Sequence, residues 1–413
     1  MRRITAALVA GLAAGAVGIA GCGSAGGGAS PSPSVRIPTG NLHTSVAAAY
    51  SFLDQMMDKD ATGSTPRLVQ SFTGGVLGSQ RFTASETYDD AVVIDAYLAA
   101  GSPAARMRAE AIGNGLLYVQ AHDPLQDGRI RAAYAPIPLR RPAAVKATNV
   151  ATPVGDLAWA GQALAQLYAA TDKTDYLAGA EAIGNWVQVN CFDRRGPGGY
   201  TGGETASGQE VQWKSTEHNI DLYAFFHLLA TVTGDRTWSD RAAWARRFVA
   251  AMWDPSQGRF DVGTLSDGKT QNDTDMLEDI NSWSYLALRD PAYQASVSWD
   301  VANLAVTAGG FSGVSFCRGD RTGVWFEGTA HLADALEFRG GREDRELAGT
   351  YLSDIHHAQL RGLNNDGRGI IAASRNGLSD CGGGQYYASL HIGATAWYIL
   401  AASAVDPFAL ISH

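Results

Sequence analysis

The chain has 413 residues, 46% of them hydrophobic and 18% charged, with a formal net charge of -9. That balance describes a globular protein with a large core and excludes a disordered chain. An acidic surface also excludes nucleic acid, whose binding depends on neutralising phosphates, and favours a neutral or cationic partner.

The first stretch stands apart from that core. Arg2 and Arg3 precede the apolar run from Ile4 to Ala20, the pattern of a secretory signal. It ends in Ile19-Ala20-Gly21-Cys22, which resembles the lipobox of bacterial lipoproteins. That resemblance implies cleavage after residue 21, lipidation of Cys22 and anchorage outside the cytoplasmic membrane. Removing residues 1–21 takes away two arginines and no acid, so the charge goes from -9 to -11. Residues 22–41 are rich in Gly, Ser, Ala and Pro, the composition of a flexible tether. The folded domain is expected over 42–413, as a monomer. Cys191, Cys317 and Cys381 then remain in an oxidising compartment. Cys317 and Cys381 both lie in Gly-rich loops and are expected to pair, leaving Cys191 free and buried.

From residue 44 onward an apolar helix, a tight turn, an amphipathic helix and a longer loop recur. The turns are Ala100-Gly101-Ser102-Pro103, Ala170-Thr171-Asp172-Lys173, Thr233-Gly234-Asp235-Arg236, Arg289-Asp290-Pro291 and Arg339-Gly340-Gly341. Gly, Asp and Pro at such points stop one helix and cap the next. Periodicity predicts helices near 44–57, 87–100, 103–121, 154–170, 174–190 and 216–233. It predicts six more near 236–253, 277–289, 291–306, 325–339, 342–360 and 386–403. Strand signals are confined to 211–213 and 258–262. Segments such as Ala91 to Leu98 are apolar nearly all round, as helices buried on most sides are. Twelve helices in alternating inner and outer layers make an all-α (α/α)6 barrel. The hairpin count and the phrases Tyr88-Asp89-Asp90, Ser215-Thr216-Glu217-His218-Asn219, Trp325-Phe326-Glu327-Gly328-Thr329 and His391 to Tyr398 resemble the six-hairpin glycosidase-like superfamily. That superfamily also contains polysaccharide lyases and sugar epimerases.

Each tight turn follows an inner helix, so the longer loops all lie at the other end of the barrel and feed the inner helices' N-termini. Those junctions carry acids and aromatics: Glu86 to Asp90, Asp156 to Trp159, Trp213 to Asp221, Glu278 to Trp283, Trp325 to Glu327, and Gln385 to Tyr387. Glycoside hydrolysis needs one protonated and one ionised carboxyl, with aromatic faces for sugar rings. The catalytic candidates are therefore Glu217 and Glu327 as general acid and Asp89, Asp90 or Asp279 as base. Acids are also favoured in any helix's first turn, and Asp156 and Asp279 fit that plainer role as well. Tyr88, Trp213, His218, Asn219, Trp283, Trp325 and Tyr386 are substrate-binding candidates. His218, at a helix N-terminus, is expected to be neutral. His331 lies one turn beyond Glu327 and reads first as a core histidine. No phosphate-binding loop, HExxH or GxSxG occurs, and neither a metal nor a cofactor is expected. The sequence therefore points to a glycosidase acting on a carbohydrate. A lyase or epimerase on the same fold, and a non-catalytic glycan-binding lipoprotein, are the alternatives.

Overall fold

The computed structural model describes residues 42–136, 139 and 145–411. The signal segment, Cys22 and the tether lie outside the described residues. Thirteen α-helices are described: α1 (Leu42–Asp58), a short α2 (Gly75–Ser79), α3 (Thr87–Ala99), α4 (Pro103–Ala121), α5 (Val154–Thr171), α6 (Thr174–Asn190) and α7 (Thr216–Thr233). The remainder are α8 (Arg236–Ala251), α9 (Asp279–Leu288), α10 (Gln294–Asn303), α11 (Phe326–Arg339), α12 (Arg342–Arg361) and α13 (Ile392–Ala402). All but α2 match a predicted segment. The fold is an (α/α)6 barrel. α3, α5, α7, α9, α11 and α13 touch in that order and close back on α3; α4, α6, α8, α10, α12 and α1 flank them outside.

The tight turns work as their composition predicts. α7 and α11 end on Gly234 and Gly340 at φ 70° and 79°, left-handed positions that favour glycine. Ser102 caps α4 through Ala105 N–H, with Pro103 in the first helical position, and Asp235 caps α8 through Thr237 N–H. Small residues bring the helices close: a Cβ on Gly161 of α5 would lie 2.3 Å from the Phe225 ring of α7.

The other end of the barrel is built differently. Among the described residues the strands are two to four residues long and sit in the loops. The expected strands shorten to Glu210–Val211 and Arg259–Phe260, and Trp213 belongs to neither. Their role is to hold the residues that lead into the inner helices. Glu86 pairs with Ala133, Pro153 with Gly203, Ser215 with Gly263, Leu277 with Cys317, Trp325 with Val314, and His391 with Phe72 and Ile370. Five of the inner helices thus start directly after a residue pinned on its neighbour, and α9 starts one residue later, after Glu278, which fixes the direction of their first-turn side chains. A disulfide joins Cys317 to Cys381, and Cys191 is free and buried.

The far end is closed by the C-terminal tail. Gln166 of α5 bonds the Ala409 carbonyl and the Ile411 N–H, at 2.7 and 3.1 Å. Arg289 pairs with Asp406. Between these anchors Phe408 packs against Trp159, Trp283 and Trp397 in the barrel axis. Among the described residues no helix is long and apolar enough to cross a membrane.

Candidate active site

The inner-helix N-termini surround a cavity of about 80 Å³. Six carboxyl side chains line it, from five inner helices: Glu86 and Asp89 (α3), Asp156 (α5), Glu217 (α7), Asp279 (α9) and Glu327 (α11). α13 contributes His391, and α7 adds His218. Phe72, Tyr88, Trp159, Trp283, Phe316, Trp325 and Tyr386 supply aromatic wall and floor. Among the described residues neither lysine nor arginine lines the cavity.

The acids occupy the N-cap or first turn of their helices, where free N–H groups and the helix dipole favour negative charge. Burial works against that charge. It pushes Asp156 up to about 8, with the Asp89 charge adding to the effect. Burial also lifts Glu217 well above the usual range, and Asp279, Asp221 and Asp156 reinforce it. Asp279 and Glu327 both rise to about 7, burial leading, with the Glu327 charge adding to the rise at Asp279 and the Asp89 charge to that at Glu327. The two differ in how an anion is met. Backbone N–H groups of Asp279 and Ile280 stabilise the Asp279 carboxylate, whereas the Tyr88 hydroxyl and the His391 charge favour ionised Glu327.

Glu327 is the centre of a connected network. Tyr88 donates from its hydroxyl to Glu327 Oε1 at 2.7 Å, and Trp397 Nε1 donates to that hydroxyl at 2.7 Å. His391 Nδ1 stands 3.4 Å from Glu327 Oε2. Its Nε2 lies 3.0 Å from both oxygens of Asp89. Burial opposes charge on His391, but Asp89 and Glu327 outweigh it and raise its pKa. The approach depends on Gly393, where a Cβ would lie 2.4 Å from Asp89 Oδ1. Opposite, His218 is neutral as expected, since burial lowers it to about 4. Its Nδ1 has no protein partner, and its ring lies against Gly155, where a Cβ would approach it to 2.8 Å.

The structure brings together Glu217, Glu327, Asp89, Asp279, Tyr88, His218, Trp283, Trp325 and Tyr386. Three sequence candidates do not reach the cavity. Asp90 points away from it, accepting from Val69 N–H at 2.8 Å and the Ser85 hydroxyl at 2.6 Å, and so ties a loop to α3. Asn219 clamps Tyr200 through both the backbone N–H and carbonyl of that residue. Trp213 stacks behind His218, with ring centroids 5.7 Å apart, and borders a separate small cleft with Lys214 and Ser215. Lys214 is buried as well, its Nζ held by the Arg195 and Gly198 carbonyls and by Asp193.

Sequence reasoning gave no site role to Glu86, His391, Trp159, Phe72 or Phe316. Glu86 and His391 are the N-caps of α3 and α13, so reading every inner-helix cap as a site position would have found them. Phe72 stacks on His391 at 4.1 Å and Phe316 packs edge-on to Trp325 at 4.6 Å. Both come from loops whose approach to the cavity no local period encodes.

No protein-family model and no curated protein matches the sequence. Solved structures do match in shape. A family 76 glycoside hydrolase from a bovine Bacteroides thetaiotaomicron strain aligns at 14% identity over 88% of this chain and 77% of its own, with a TM-score of 0.57. The likeness is one of fold, the (α/α)6 barrel. The cellobiose 2-epimerase of Bacillus thermoamylovorans aligns at 9% identity, over 87% of this chain and 99% of its own, with a TM-score of 0.64. An inactive variant of a Salegentibacter α-1,6-mannanase, solved with α-1,6-mannotriose, aligns at 12% over 88% and 99%, with a TM-score of 0.57.

Proposed function

We propose that the chain is a glycoside hydrolase acting on a neutral glycan, with Glu327 as general acid and Asp279 as base. The observation that carries this reading is the Asp279–Glu327 pair: two buried carboxyls on adjacent inner helices, each raised to about 7 chiefly by burial, with the Glu327 charge adding to the rise at Asp279. Such a pair shares one proton near neutrality, so the cavity holds one acid and one base together. Backbone N–H groups at the start of α9 favour the charge on Asp279, as Tyr88 and His391 do on Glu327, and in our reading the proton sits on Glu327. Glu327 then protonates the leaving glycosidic oxygen while Asp279 supplies the charge that activates water. The aromatic walls supply stacking faces, and the unpartnered Nε1 groups of Trp283 and Trp325 are donors for sugar hydroxyls. A uronate substrate, and with it a lyase, fits poorly because among the described residues neither lysine nor arginine lines the cavity.

Glu327→Gln and Asp279→Asn are each expected to lower hydrolysis at least about a hundredfold across a panel of neutral oligosaccharides. The parent should show a bell-shaped rate profile centred near pH 7, falling on the acid side as Asp279 takes up a proton and on the alkaline side as Glu327 loses its own. Unchanged turnover in both variants would reject the assignment. Anchorage through lipidated Cys22 belongs to the same proposal: Cys22→Ser should move the protein from the membrane to the soluble fraction.

A sugar epimerase is the second reading, favoured by the two imidazoles His218 and His391 facing one cavity. Deuterium uptake from solvent at the carbon beside a sugar's reducing carbonyl, without cleavage, would decide for it.

A further inference from the structure

Glu327 has a second imidazole on the side away from His391. His331, one turn along α11 and completely buried, points Nε2 at Glu327 Oε1 across 3.9 Å. That nitrogen has no hydrogen-bond partner. The other, Nδ1, lies 3.0 Å from Oε2 of Glu278, which precedes α9 and is also completely buried. Glu278 Oε1 has no partner. No cation contacts Glu278, and burial with Asp300 nearby keeps it protonated. A protonated carboxyl must donate its O–H somewhere, and His331 Nδ1 is the acceptor in reach. A neutral imidazole that accepts at Nδ1 carries its proton on Nε2. The His331 N–H is thereby aimed at Glu327 and has no competing partner.

We propose that Glu278 is a positioning residue that works through His331, holding an N–H in reserve for the Glu327 carboxylate. When Glu327 gives up its proton the new negative charge draws the N–H into a hydrogen bond; no covalent bond changes at Glu278 or His331. Gly328 leaves room for this arrangement, since a Cβ there would lie 3.0 Å from Glu278 Oε2. This role rests on Glu327 being the proton donor proposed above. The other groups that influence Glu327 are Tyr88 and Asp89 from α3, Asp279 from α9, and Tyr386 and His391 from the α13 side. Tyr88 already donates to Oε1, and His391 serves Oε2 while bound to Asp89. His331 is the remaining donor, and it draws on no other acceptor.

The test compares Glu278→Gln, Glu278→Leu and His331→Phe in the full-length protein, each first checked for a cooperative thermal transition. Glutamine keeps an N–H donor for His331 Nδ1, and leucine and phenylalanine break the connection. The readout is titration of the Glu327 carboxyl by infrared spectroscopy, its band identified as the one missing in Glu327→Gln. That measurement needs no substrate. Glu278→Leu and His331→Phe are expected to raise the Glu327 midpoint by about one pH unit, the shift for one lost hydrogen bond to a charge. Glu278→Gln should leave it within a few tenths of the parent. In hydrolysis, kcat should fall about tenfold or more in the first two variants with KM unchanged. A parental midpoint in Glu278→Leu and His331→Phe overturns the proposal, as does Glu278→Gln shifting as far as Glu278→Leu. Full hydrolysis by Glu327→Gln would reject Glu327 as the general acid while leaving the infrared result standing.

Discussion

Gly393→Ala tests the network at its tightest point. In an ordinary helix this change favours the folded state by about 0.5–1 kcal/mol. Here the new Cβ would lie 2.4 Å from Asp89 Oδ1 and 2.9 and 3.0 Å from Cε1 and Nε2 of His391. Contacts below 3.0 Å require movement, and Asp89 is only 2% exposed. The Asp89–His391 bond must therefore open, leaving a buried charge-bearing group without its partner, at a cost of about 3–5 kcal/mol. Allowing for the helix gain, the net loss is about 2–4 kcal/mol. Urea unfolding at pH 6 measures it. Gly349→Ala is the control. It lies in α12 with nothing within 4 Å of its would-be Cβ, and it should be neutral or stabilising. Hydrolysis by Gly393→Ala should fall at least about tenfold, because His391 also serves Glu327. A Gly393→Ala protein as stable as the parent would refute this account of the Asp89–His391 pair.

Other consequences can be measured directly. Asp156, Asp279 and Glu327 hold protons to about 8, 7 and 7 when folded, but release them near 4 when unfolded. Their stabilising effect is full below about pH 4 and is lost as pH rises toward 8, at up to about 1.4 kcal/mol per unit per group. His391, also raised, acts in the same direction above about 6.5. The urea midpoint should therefore be higher at pH 5 than at pH 8, and the reverse order would contradict the buried-carboxyl description. Phe408→Ala removes the buried ring beneath Trp159 and Trp283 and should cost about 3–5 kcal/mol. Because those indoles form the cavity floor, KM should rise as well. Cys381→Ser unties the loops that bear Phe316 and Tyr386, whose rings lie 5.4 Å apart on the cavity wall. Stability should fall by about 2–4 kcal/mol and KM should rise more than kcat falls.

The amino-acid pattern by itself determined the twelve barrel helices, their tight turns and the functional end. Those features are written locally: apolar residues all round Ala91 to Leu98, Gly234 and Gly340 where a left-handed stop is needed, Ser102 and Asp235 where a cap is needed. The cavity's chemistry was legible only as a set of acids at one rim. Asp89 and Asp90 are neighbours in sequence with equal claims, yet one faces His391 and the other a loop amide. Successive residues on a helix point about 100° apart, so only the placement of α13 and of the loop before α3 separates them. Trp213 and Trp283 differ for the same reason. The tertiary structure alone decided that a β-bridge pins the chain within two residues of the start of each inner helix, so that side chains from all six junctions meet. It also set Glu327 between His391 and His331, which come together from opposite sides of one buried carboxyl. Pair contacts of that kind depend on how the ring closes, and no local period carries that information.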